Sequence, residues 1–184
     1  MVRPLIVNAS ELLRRPGSER DLRCEVSLDD LDVQDERFVP ERPLAVSMHL
    51  ESLNDGIVVR GEVAVHWRGI CRRCLRSVAG TVRAEVNELY QHVVTDPDAF
   101  PIVGEQLDLA PVVREHALLA VPDGPLCRAD CAGLCPHCGN DRNERACDCS
   151  LARVDDRWAA LDALRDRLTT AEGGTESDEW SSGD

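Results

Sequence analysis

The chain contains no lysine: all 21 of its basic residues are arginine. Aromatic side chains make up only 3% of it, although 43% of the residues are hydrophobic. A core is therefore expected, but one assembled from Val, Leu and Ala rather than from rings. No apolar run is long enough to span a bilayer. The N-terminal stretch MVRPLIVNASELLRRPGSERD holds no apolar segment of signal-peptide length. These absences predict a cytoplasmic protein that works away from the membrane. Positive charge is also scarce. The formal net charge is −13, and residues 171–184 add Glu172, Glu176, Asp178, Glu179 and Asp184 with no base. Bulk electrostatics of that sign repels nucleic acid and favours basic partners. Familiar catalytic signatures are missing too: no HExxH, no glycine-rich phosphate loop and no G-x-S-x-G. The carboxylates read as solvated faces, so the residues favour a protein that binds over an enzyme.

Cysteine is plentiful, with nine in the chain. In a reducing compartment, cysteine pairs at fixed spacing point to metal more than to disulfides. Four half-sites can be read: Cys71-x-x-Cys74, Cys127-x-x-x-Cys131, Cys135-x-x-Cys138 and Cys147-x-Cys149. Tetrahedral zinc takes four thiolates in a structural site and leaves no position open for water or substrate. Four half-sites thus predict two zinc ions. CPHCG carries the Pro and Gly of a tight knuckle and lies close to CDC, so those four thiols are expected to share one ion. Cys71 and Cys74 would then meet Cys127 and Cys131. Cys24 lies among apolar residues with no Cys or His neighbour and reads as a small buried hydrophobe. Disulfides, a redox-active Cys-x-x-Cys and an iron–sulfur cluster are the alternatives. Cys-x-x-Cys redox pairs sit at helix N-termini, whereas CRRC here falls between two strands.

The strands themselves are legible. Leu44, Val46, Met48 and Leu50 alternate, and so do Val59, Val63, Val65 and Trp67 after an Asn54–Gly56 turn. A third alternation runs through Val78, Val82, Ala84 and Val86, so three antiparallel strands are predicted. LDLAPVVREHALLAVP reads as a helix over about 108–121 capped by Asp108, with Leu109, Val112, Val113, His116 and Ala120 on its buried stripe. Ser10 reads as the cap of a short N-terminal helix. DDRWAALDALRDRL reads as an amphipathic helix with Trp158, Leu161, Leu164 and Leu168 inward. The expected class is α+β: an antiparallel, meander- or barrel-like sheet with a helix, a zinc-ribbon-like segment and a C-terminal helix. The expected organisation is a β-rich domain at 1–126, the cysteine segment at 127–150, the helix at 151–170 and a disordered acidic tail at 171–184.

From Val63 to Ala84 there are five arginines and no acid: Arg68, Arg72, Arg73, Arg76 and Arg83. They either neutralise nearby thiolates or form a phosphate-binding patch on an otherwise repelling surface.

CRRCL after a strand, the LDLAPVVREHALLAVP helix, CRADCAGLCPHCGNDRNERACDC and DDRWAALDALRDRL together resemble the YceD family, the large ribosomal RNA subunit accumulation proteins. The resemblance runs from about Leu44 to Leu168 and is most specific from Cys127 to Cys149. By position it carries over Cys71, Cys74, Cys127, Cys131, Cys135, Cys138, Cys147 and Cys149. GNDRN departs from the family, where many relatives place a Leu between two asparagines, and it touches no cysteine. The resemblance implies a non-enzymatic role in accumulation or maturation of large-subunit ribosomal RNA. Its implied partners are a pre-ribosomal particle or 23S rRNA precursor, a basic ribosomal protein, or a ribonuclease. The competing class is an enzyme, either a thiol oxidoreductase or a metal-assisted nuclease.

Overall fold

In the computed structural model, residues 5–149 are described, together with Leu161, Leu164 and Arg165. The chain divides into two compact units, Met1–Leu134 and Cys135–Asp184. In the first unit the element order is β1 (Ile6–Asn8), α1 (Ser10–Arg14), β2 (Glu19–Val26), a 3₁₀ turn (Asp29–Leu31), β3 (Leu44–Ser52), β4 (Ile57–Ile70) and β5 (Ser77–Gln91). These are followed by β6 (Phe100–Pro101), β7 (Gln106–Asp108) and α2 (Ala110–Ala120).

Five strands form one sheet in the order β2-β3-β4-β5-β6, and β1 pairs with β7 in a separate two-stranded ribbon. All pairings are antiparallel except β5 with β6. The three predicted strands are present as β3, β4 and β5, and the fold is α+β. The sheet is open, with β2 and β6 as separate edges, so the barrel-like curvature does not close. By composition TDPDAFPIVGEQ reads as a loop, but β6 and the start of β7 interrupt it. These strands are two and three residues long, too short to show alternation.

Alternation along β3 buries Leu44, Val46, Met48 and Leu50, and their register partners Val63 and Val59 on β4 are fully buried. Gly61 faces Met48, where any Cβ would run into the Ser47 carbonyl and stand 2.8 Å from Met48 Cα. A side chain there would force the strands apart. Helix α2 covers this inner face with Val112, Val113 and Ala117, joined by Leu109. His116 instead lies half-buried against Glu88 of β5, Nε2 to Oε1 at 2.8 Å, because it sits at the margin of the stripe. Asp108 is not the cap of α2: Leu109 holds that position without a side-chain cap bond, and Asp108 stands one residue earlier, its Oδ1 accepting from the Ala110 N–H at 3.0 Å. Phe38 and Tyr90 provide large aromatic filling; Phe38 is fully buried, and the Tyr90 hydroxyl donates to the Asp108 carbonyl at 2.9 Å.

Two local expectations differ from the structure. Ser10 is the first residue of α1, not its cap, because its hydroxyl is engaged by Asn8 Oδ1 at 2.7 Å and Glu105 Oε2 at 2.5 Å. Leu161 and Leu164 are helical but exposed, at 54% and 50%. Periodicity aligns a stripe, but burial needs a covering surface, and none covers these two among the described residues. Trp158, Leu168 and the acidic tail lie outside the described residues. No helix among the described residues is long and apolar enough to cross a membrane.

Candidate metal centres

The first cysteine group is built from the β4–β5 turn and the segment after α2. A Cys-x-x-Cys turn directs two thiols to one point only if the chain reverses sharply after the second cysteine. Here Leu75 supplies the reversal at φ 60°, and its N–H donates to the Cys71 carbonyl at 2.9 Å. The Cys71 N–H in turn donates to the Arg76 carbonyl at 2.8 Å. Cys127 and Cys131 come alongside because the segment is stitched to the knuckle. The Arg72 N–H donates to the Pro125 carbonyl at 3.0 Å, and the Leu134 N–H to the Arg73 carbonyl at 3.0 Å. Gly133, at φ 73°, lets the backbones approach, since a Cβ there would stand 3.0 Å from the Arg73 carbonyl.

The second group is built within the second unit and repeats the knuckle. Gly139 takes the reversal at φ 71°, its N–H donating to the Cys135 carbonyl at 2.9 Å, and the Cys135 N–H donates to the Asn140 carbonyl at 2.8 Å. The connection to Cys147 and Cys149 is a polar turn. Asp141 Oδ1 accepts from the Asn143 N–H at 2.8 Å, and the Asn140 side-chain amide donates to the Arg145 carbonyl at 2.5 Å.

The structure therefore brings Cys71, Cys74, Cys127 and Cys131 together, and Cys135, Cys138, Cys147 and Cys149 together. Within each group all four sulfurs lie within 4.8 Å of one another. None is in a disulfide. In the first group Cys71 Sγ stands 3.8 Å from Cys131 Sγ, and Cys74 Sγ 3.6 Å from Cys127 Sγ. A tetrahedron with metal–sulfur bonds of about 2.3 Å has edges of about 3.8 Å, so the donor set fits an ion of zinc's size. Cys24 stands apart, half-buried against the main core, its thiol pushed up by burial.

The acid–base properties of the thiols follow from the same geometry. Cys71 is drawn down to about 6, chiefly by the hydrogen bond from the Cys74 backbone N–H. Cys135 is likewise drawn down to about 6, chiefly by the Cys138 backbone N–H and then by that of His137. Their partners move the other way. Cys127 is pushed up to about 12 by burial and then by hydrogen bonding with Cys131 and Cys74. Cys149 is pushed up to about 12 by its hydrogen bond with Cys138, then by burial. Cys71 and Cys135 ionise readily, and each further thiolate would crowd negative charge against them unless a cation offsets the repulsion. Four thiols per group can hold a metal ion, and among the described residues no fifth His, Cys, Asp or Glu joins either group.

The arginines of the run have separate partners. Arg83 pairs with Glu62 across the outer face of β4 and β5. Arg73 Nη1 donates to the Cys131 carbonyl at 2.9 Å and so braces the first cysteine group. Arg68 Nε donates to the Glu36 carbonyl at 3.2 Å. Arg72 lies exposed in the knuckle, its side chain passing over Gly124. Arg76 contributes its carbonyl to Cys71. GNDRN, expected to touch no cysteine, in fact closes the second knuckle, since Gly139 and Asn140 both hydrogen-bond Cys135; the sequence did not single out Leu75 or Gly133. Gly133 and Asn140 carry a signal in being turn formers beside cysteines; Leu75 carries none.

A model of the family described as large ribosomal RNA subunit accumulation protein YceD matches residues 59–165, a span that includes all eight clustered cysteines. An uncharacterized protein of Mycobacterium tuberculosis is 29% identical over 178 residues, covering 86% of this chain and 80% of that protein. One from Mycobacterium leprae is 29% identical over 147 residues, covering 76% and 68%. The chloroplastic large ribosomal RNA subunit accumulation protein YCED homolog 1 of Arabidopsis thaliana is 30% identical over 74 residues, 40% of this chain and 23% of that protein. No solved structure matches.

Proposed function

The chain belongs to the YceD family, and we propose that it is a non-enzymatic factor in the accumulation of large-subunit ribosomal RNA, acting in the cytoplasm by binding. Each four-cysteine group holds a structural zinc ion. The observation that carries this reading is that all eight paired cysteines converge into two closed four-thiol sets. Such sets saturate a tetrahedral ion and favour a scaffold over a reaction centre. Zinc suits the set better than harder metals because thiolates are soft donors. The partner is a pre-ribosomal particle or 23S rRNA precursor. It is engaged through a basic ribosomal protein or a ribonuclease on the acidic surface, with phosphate touched at the knuckle by Arg72.

The test has two parts. Chain purified without chelator should carry close to two zinc ions, and capture at low salt should enrich large-subunit precursor RNA. Arg72→Gln should keep both ions and make the salt dependence of particle binding shallower by about 0.7 to 0.9 log units. Arg73→Gln should weaken the first ion instead, since Arg73 braces Cys131. An open metal site, thiols that cycle with a reductant, or capture that enriches no ribosomal RNA overturns the reading.

A further inference from the structure

The two edges of the five-stranded sheet are protected unequally. On one side, β2 carries Glu19, Arg20, Asp21, Arg23 and Glu25, the dense charge by which natural sheets keep an edge from pairing. On the other side, β6 covers β5 only at Tyr90 and Gln91. From Ser77 to Leu89 the outer edge of β5 has no backbone partner among the described residues. That stretch holds no proline and only three charges, Arg83, Glu85 and Glu88. Its opposite edge is paired to β4 residue by residue without interruption, so the strand carries no bulge. A long regular edge of this kind is a template for another strand.

We propose that this edge pairs with the same edge of a second copy of the chain, antiparallel about a two-fold axis at Ala84, to make one continuous sheet. Charge selects the occupant and the register. A two-fold axis perpendicular to a sheet keeps side chains on their own face, so only registers that pair residues of equal parity are allowed. Centred on Ala84, Arg83 of each copy lies opposite Glu85 of the other, and Val82 lies opposite Val86. Sliding by one allowed step sets Arg83 against Arg83 in one direction and Glu85 against Glu85 in the other, and like charges directly opposite are destabilising. Arg83 already reaches Glu62 on the same outer face, so across the axis it would lie between two carboxylates. Glu85 is exposed, and among the described residues no side chain pairs with it. The strand is therefore self-complementary at its centre, which an unrelated partner would not require.

Sedimentation equilibrium of the full chain is the test, paired with hydrogen exchange of β5 at low and high protein concentration. The expected mass is twice that of the chain, with amides between Ala79 and Leu89 gaining protection as concentration rises. Glu85→Arg keeps the Arg83–Glu62 pair and sets arginine against arginine twice across the axis, so it should return the protein to monomer with unchanged metal content. A wild-type monomer throughout its soluble range overturns the proposal. So does a dimer that survives Glu85→Arg. Protection of the β5 edge in a monomer also overturns it, because the edge would then be covered by the chain's own residues.

Discussion

The two cysteine groups share one knuckle and differ in everything around it. Both close a Cys-x-x-Cys turn with a left-handed residue whose N–H returns to the first cysteine, at the same 2.9 Å. The first group then sinks into protein: Cys71, Cys74 and Cys131 are buried, with Val78 and Leu126 packed against them. The second keeps only Cys135 buried, Cys138 is exposed, and its frame is a polar turn. The comparison separates what a knuckle contributes from what its setting contributes. The hydrogen bonds aim the sulfurs, while burial would decide how tightly a bound ion is coupled to the stability of the fold.

Removing ligands should break the comparison most sharply. Structural zinc contributes on the order of 10 kcal/mol, comparable with the whole stability of a domain. Cys71→Ser should therefore lose one ion and unfold the end of the first unit, with amides of β4 and β5 near the knuckle losing protection. Cys147→Ser should lose the other ion and leave those amides unchanged. Elemental analysis with hydrogen exchange checks both. Loss of the same ion in both variants would show that the groups do not form as paired here.

A chelator should distinguish the groups by rate. The exposed ion should leave first and the buried one should follow only when the knuckle opens from the segment after α2. Stopped release monitored with a zinc-sensitive dye should show two phases, and Cys147→Ser should abolish the fast one. A single phase would mean that burial does not control access.

Protons give a third comparison. In metal-free chain Cys71 and Cys135 ionise near 6, whereas Cys127 and Cys149 hold their protons up to about 12. Metal binding must expel those protons, so affinity should fall as pH falls. Calorimetry in buffers of different ionisation enthalpy should show proton release at pH 7.5 from both groups. An equal affinity at pH 6 and pH 8 would contradict the thiol assignment.

The smallest expected effect concerns the left-handed residue. A side chain in that conformation costs about 1–2 kcal/mol, which the first group tolerates at Leu75 and the second avoids with Gly139. Gly139→Ala meets no neighbour within 4 Å, so strain alone should weaken the second ion by about tenfold. Leu75→Gly should change the first ion little, because relief of strain is offset by the freedom glycine regains on unfolding. Competition titrations against a chelator of known affinity measure both.

The sequence was most readable where a residue's type and spacing carry its role. Alternation at Leu44 to Leu50 and at Val59 to Trp67 marks strands because one face must be apolar, and cysteines announce their partners by spacing. What stayed hidden depends on three-dimensional approach. Nothing in the letters separates Arg73, which braces Cys131, from Arg72, which stays in solvent. Leu75 in a left-handed turn has no local signature, since leucine is chosen there against its own preference. Strands β6 and β7 fall below the length at which a period can be seen. Arg83 counts with the arginine run along the chain, yet the register carries it to Glu62 on the open sheet.

The first group joins residues 53 and 60 apart in the chain, Cys74 with Cys127 and Cys71 with Cys131. Everything from β5 to α2 lies in the loop so closed. Ordering a loop of that length costs entropy before any sulfur–metal contact repays it, so docking of α2 inside that loop should favour completion of this centre. The second group spans 135 to 149 and asks for no such search. During synthesis the two ions would thus enter on different clocks. The later, buried one would then report that the sheet and helix have found each other, and would set its seal on a finished domain.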